Sequence, residues 1–164
     1  PLRGMSTMLH LARRFFGWWR ADRPDPETQL WIGTRLGPDE ARLFWEQPVQ
    51  DQAHAAAVGA FVARRQPERH DLISAALLHD VGKAVSRLGP VQRSIATVLG
   101  GLRLPMTHRL TAYRNHGSIG AGMLEVVQAP AIAIAFARDH GNARAPDGVA
   151  PADWALLREA DHGA

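Results

Sequence analysis

Leu77-Leu78-His79-Asp80-Val81-Gly82-Lys83 is the stretch on which the reading of the fold turns. An apolar run ends here in an adjacent imidazole and carboxylate, which packing alone does not require. Two readings fit: a metal-ligating pair, or a polar pair satisfied at a helix end. Lys83 favours the first, because it is the chain's single lysine and every other strongly basic side chain is arginine. One lysine in an arginine-rich chain suggests a site that wants a compact ammonium rather than a planar guanidinium. Upstream, Leu72, Ala75, Ala76 and His79 fall on one helical stripe, and Leu77, Leu78 and Val81 widen the apolar surface. Asp80 and Lys83 form an i, i+3 pair. Residues 69–83 therefore read as a central helix buried on most sides. The expected fold is an all-α, compact helical bundle.

The flanking segments support that class. Residues 51–65 read as a long helix with His54, Val58, Phe61 and Val62 on its apolar face. A histidine there is more often a core residue than a ligand, so His54 carries little weight alone. Pro38 is well placed to open a helix through Leu43, Phe44 and Trp45 that stops before Pro48. Residues 23–26 read as a linker. Residues 8–20 suggest a short amphipathic helix, with Phe15, Phe16, Trp18 and Trp19 against Arg13, Arg14 and Arg20. Packing on the domain or a partner is favoured over a membrane surface. The chain thus divides into a helical extension, 1–48, and a domain, 49–164. Further along, residues 107–113 form a short helix or turn, and Asn115 is a plausible N-cap for a helix carrying His116. Residues 131–136 alternate as a strand would, yet read as helix because alanine is a good helix former and no partner strand is visible. That helix ends at Asp139-His140-Gly141. A polar loop with Arg144 leads to a last helix opened by Pro151 and carrying Asp161.

Composition excludes several chemistries. There is no cysteine, so thiol catalysis, disulfides and Cys-zinc sites are out, and any metal must be held by histidine and carboxylate. A formal charge of +3 is compatible with anionic substrates but too small to indicate nucleic acid. No apolar run reaches membrane-spanning length, and the expected location is cytoplasmic. The Trp18-Trp19 segment leaves a homo-oligomer open. His10, His70, His108 and His162 read as structural.

His54, His79-Asp80, His116, His140 and Asp161 each sit on or at the end of a different expected helix. Their order and rough spacing resemble the HD superfamily of metal-dependent phosphohydrolases over about residues 51–161. His79-Asp80-Val81-Gly82-Lys83 is similar to the HDxGK form of that signature. His116-Gly117-Ser118-Ile119-Gly120 through Leu124 looks like the corresponding segment of the HD-GYP-like subgroup, and Leu157 to Asp161 looks like the segment bearing its final aspartate. The subgroup often has two adjacent histidines at the fourth motif, where this chain has Asp139-His140. No GYP motif follows, which argues against cyclic-di-GMP as the substrate.

The resemblance implies two divalent transition-metal ions, Fe, Mn, Co, Ni or Zn, suited to neutral imidazoles and carboxylates. His54, His79, Asp80 and Asp161 would hold the first, with Asp153 the fallback for Asp161. Asp80 would bridge to the second, completed by His116 and His140, with Asp139 a candidate extra ligand. Asp80 and Lys83 would be catalytic, and Lys83, Arg114 and Arg144 would contact a small, nucleotide-like phosphorylated substrate. The implied function is hydrolysis of a phosphomonoester or phosphodiester by a metal-activated water. The alternatives are a mixed-valent di-iron oxygenase of the same fold, a mononuclear nucleotidase without roles for His116 and His140, and a non-catalytic nucleotide-binding sensor or interaction module.

Overall fold

The computed structural model describes residues 22–86, 88–89, 92 and 107–163. The expected helix at 8–20 and the segment 91–99 lie outside these residues, apart from Gln92. Among the described residues the regular structure is all helical. The helices are α1 (Pro26–Gly33), α2 (Pro38–Trp45), α3 (Val49–Arg65), α4 (His70–Leu78), α5 (Lys83–Ser86), α6 (His108–Arg114), α7 (His116–Val126), α8 (Ala131–Asp139) and α9 (Pro151–Gly163). No helix among them is long and apolar enough to cross a membrane.

Helix α4 is the axis of the bundle. Leu72 to Leu78 are all buried, as a stretch apolar on nearly every side demands. Helices α3, α8 and α9 pack around it. Gly59 lets α3 approach closely, since a Cβ there would lie 2.7 Å from Leu77 Cδ2. Helix α8 pairs with α7 across a tight reversal. There Gln128 adopts φ 55°, while its N–H donates to Glu125 O at 3.1 Å and Ala129 N–H donates to Leu124 O at 3.0 Å. These bonds close the helix end with a left-handed residue, a role glycine usually fills. Residues 131–136 are helical, as the alanine content indicated.

Two local expectations are corrected and one is refined. Residues 23–26 are not simply a linker: Asp25 accepts from Thr28 N at 2.9 Å and Pro26 stands in the first turn, so the pair opens α1. Ile32 and Leu36 from this region join the same core as Leu43 and Phe44. Asn115 stands at the N-cap of α7, its carbonyl accepting from Ile119 N–H at 3.1 Å, but its side chain makes no capping bond. It also closes α6, its N–H donating to Thr111 O at 3.0 Å, and its φ and ψ of −96° and 15° are not those of a side-chain cap. Most important, the central helix stops at Leu78 rather than running to Lys83. Short-range bonds take over, Val81 N–H to Leu78 O and Lys83 N–H to Asp80 O. Gly82 then meets α7 so closely that a Cβ would lie 2.0 Å from His116 O and 2.6 Å from Gly120 N.

Candidate metal centre

The turn after α4 brings the chemistry together. His79 and Asp80 are 1% and 2% exposed. His79 Nε2 lies 3.3 Å from Asp80 Oδ2 and 3.4 Å from Asp161 Oδ1. His54 Nε2, from mid-α3, is 3.1 Å from the same Asp161 oxygen. On the other side of Asp80, Oδ1 is 3.5 Å from His116 Nε2 and 3.9 Å from His140 Nε2. Two triads, His54-His79-Asp80 and Asp80-His116-His140, each offer three ligand atoms mutually within 4.8 Å. Asp80 belongs to both.

Helix ends aim three of the imidazoles. His79 and His140 stand at the C-terminal caps of α4 and α8, and His116 opens α7 one residue past the cap of α6. In each ring Nδ1 bonds the backbone carbonyl three residues earlier: Ala76 O at 2.8 Å, Tyr113 O at 2.8 Å and Ala137 O at 3.3 Å. A carbonyl only accepts, so Nδ1 carries the proton and the neutral ring keeps its lone pair on Nε2. The bond also satisfies a carbonyl of the helix's last turn. One device, used three times, points a basic nitrogen at the same carboxylate.

The protein's own groups do not satisfy the cluster. His79 Nε2, Asp80 Oδ1 and His116 Nε2 are buried and have no hydrogen bond of proper geometry among the described residues. Buried polar atoms without partners are costly. A donor set of imidazole nitrogen and carboxylate oxygen, aimed inward, fits a borderline divalent ion. These groups could hold a metal ion.

The electrostatics point the same way. Burial pushes His79 toward the neutral ring, but the charges of Asp80 and Asp161 outweigh it and raise the group to about 10. Burial would raise the Asp80 carboxyl, yet His79 and Lys83 hold it well below the usual carboxylate range. Asp161 is also lowered against burial, by hydrogen bonds from His54 and His79. His140 is lowered, first by burial and then by repulsion from His79. A proton on His79 and a bound cation are alternative ways to balance the buried carboxylates.

Lys83 ion-pairs with Asp80 Oδ2. Burial opposes its charge, but Asp80 and then Asp51 keep it raised. Asp51 was missed in the sequence. It is 3% exposed and lies one turn before His54 on α3. The signal was present as a carboxylate i−3 to a ligand-type histidine, mirroring Asp80 and Lys83. Tyr113 was also missed; its ring stacks on His116 at 5.8 Å.

The other expected residues are placed elsewhere. Asp139 accepts from Asn142 Nδ2 at 3.1 Å and is not among the converging atoms. Asp153, the fallback for Asp161, pairs instead with Arg69 at 2.9 Å. Arg114 is exposed at the end of α6, two residues before His116. Arg144 is exposed in the loop after α8 and lines a separate pocket beside α9. Searches against family models, curated proteins and solved structures found no match for this chain.

Proposed function

We propose that this chain is a metal-dependent phosphohydrolase of the HD type, hydrolysing a phosphomonoester or phosphodiester of nucleotide-like character at a binuclear His/Asp site. The observation that carries the reading is the shared position of Asp80 between the two triads. A carboxylate has two oxygens and can face two cations while neutralising the charge between them. His54, His79 and Asp161 would complete one site, and His116 and His140 the other. Two divalent ions bound there supply a water of lowered pKa and positive charge for the attacking and leaving oxygens of a phosphoryl group. The chain's own contribution is orientation. Three backbone-anchored imidazoles present Nε2, and Lys83, held beside Asp80 and 18% exposed at its side chain, offers an ammonium to a phosphoryl oxygen.

The deciding experiment is elemental analysis of protein purified without chelator or nickel, followed by a panel of nitrophenyl phosphates and nucleotides. About two equivalents of metal and Asp80-dependent turnover are expected. One equivalent, with His116→Ala leaving it unchanged, would replace this reading by the mononuclear one. Metal-replete protein with no turnover, indifferent to Asp80→Asn, would end it. A second reading has one observation in its favour. With Asp139 engaged by Asn142, the set is six residues with a single histidine after α8, which also suits a di-iron oxygenase. Two irons with oxygen consumption and no phosphate release would select it.

A further inference from the structure

Beside the metal cluster, between the loop after α8 and the outer flank of α9, lies a cavity of about 610 Å3. That size is within the range of small-molecule sites, about 300–1,000 Å3. Its lining is mixed in the way such sites are. Pro151, Ala145 and Ala155 supply apolar surface, Trp154 is buried at 1% exposure, and Arg144 and Arg158 supply guanidinium groups. Its carboxylate, Glu159, is paired with Arg65 at 3.3 Å, which leaves the lining cationic in balance.

Arg158 is the telling residue. Nη1 donates to Ala143 O at 3.5 Å and Nη2 to His162 Nε2 at 3.2 Å, so the loop and the last turn of α9 hold the group in place. Its Nε is buried, so the N–H groups left for a ligand are the second ones on Nη1 and Nη2. Guanidinium N–H groups match phosphate and carboxylate oxygens in planar, paired geometry. A guanidinium fixed at both terminal nitrogens with a second N–H left on each, a second guanidinium on the same cavity and an apolar wall together suit an anion with an apolar body.

We propose that this cavity binds an organic phosphate, its phosphate on Arg144 and Arg158 and its ring or chain against Pro151 and Ala155. The site is distinct from the metal cluster but adjoins it. Asp161 and His162 share one turn of α9, with the first in the cluster and the second on the cavity. Trp154 also meets Phe136 edge-on at 5.2 Å, and Phe136 lies 5.8 Å from His79 and 5.9 Å from His140.

Isothermal titration of the full chain with adenosine 5′-monophosphate, adenosine and inorganic phosphate tests this. Chelator is present throughout, so that binding at the metal cluster does not contribute. One monophosphate is expected to bind per chain, at least tenfold tighter than adenosine or phosphate alone. Arg144→Glu and Arg158→Gln should each weaken it tenfold or more, and Asp80→Asn should leave it unchanged. No monophosphate binding, wild-type binding by both arginine variants, or loss in Asp80→Asn alone would overturn the proposal; the last would place the probe at the cluster. Arg144 is exposed, so its variant decides even if Arg158→Gln fails to fold. The phosphohydrolase reading stands or falls separately, on metal content.

Discussion

Both ends of α4 carry a histidine followed by an aspartate: His70-Asp71 where it starts, His79-Asp80 just past its end. Helix α9 runs alongside in the same sense and offers an aspartate to each, Asp153 near the start and Asp161 near the end. The two places share a composition and differ in everything else. At the start, Asp71 is 40% exposed at its side chain and takes two hydrogen bonds from Arg69, which also reaches Asp153. Every charge there has an opposite partner in contact with water. At the end, Asp80 is 3% exposed at its side chain, and inward-facing atoms of His79, Asp80 and His116 are unspent. The dipeptide is therefore not the functional unit. Burial without internal satisfaction is what leaves an end of the helix able to take a ligand.

The comparison breaks most sharply at the two aspartates of α4. Asp80→Asn removes the one group common to both triads. Bound metal measured by elemental analysis should fall by more than the 10–100-fold typical of a supporting residue, and any hydrolytic turnover should go with it. Asp71→Asn should leave metal content at the wild-type level. On α9 the same contrast should hold with a smaller margin. Asp161→Asn should weaken metal binding about tenfold or more, because the carboxylate that His54 and His79 share loses its charge, while Asp153→Asn should not change it. Equal effects from Asp161 and Asp153 would mean that the last helix does not complete the site.

Backbone approach at the buried end gives the next test. Gly82 and Gly120 face each other, and the former also sits against His116 O. A methyl group at Gly82 has only backbone to push, so Gly82→Ala should cost about 1–3 kcal/mol in denaturant unfolding and separate His116 from Asp80. Gly141, where a Cβ meets nothing within 4 Å, is the control, and Gly141→Ala should be near neutral.

These glycines also mark where sequence reading reached its limit. Periodicity was enough for the helices and for the stripe that buries His79, because those are one-dimensional patterns of apolar residues. The order of the candidate ligands was legible for the same reason: each stands at a helix face or end that local signals mark. The stop at Leu78 was not legible. It depends on α7 arriving against Gly82, a contact with residues over thirty positions away. Asp51 was overlooked because a carboxylate near a helix start has an ordinary local explanation in the helix dipole. Only the folded chain shows it buried beside Lys83. Residues 23–26 read as a linker in sequence, yet Asp25-Pro26 serves equally as a helix opening. Asp153 and Asp161 could not be told apart by spacing alone, since both are one helix repeat from apolar neighbours; the register of α9 on α4 separates them.

The smallest expected effect lies at the satisfied end, and it sharpens what satisfaction means. Asp71 has its carboxyl lowered from the ordinary value of 3.8, first by the hydrogen bonds from Arg69. A group held lower in the folded chain than in the unfolded one contributes stability above its unfolded value and loses it as pH falls through the folded one. Wild type should therefore exceed Asp71→Asn in thermal stability near pH 6, by the increment typical of exposed pairs, about 0.2–1 kcal/mol. The difference should shrink steadily below about pH 4. Because this pair shares no partner with Asp80, the same increment should appear in an Asp80→Asn background. An increment that changed there would show that the two ends of α4 are coupled. The exposed pair would then belong to the site rather than to the scaffold that carries it.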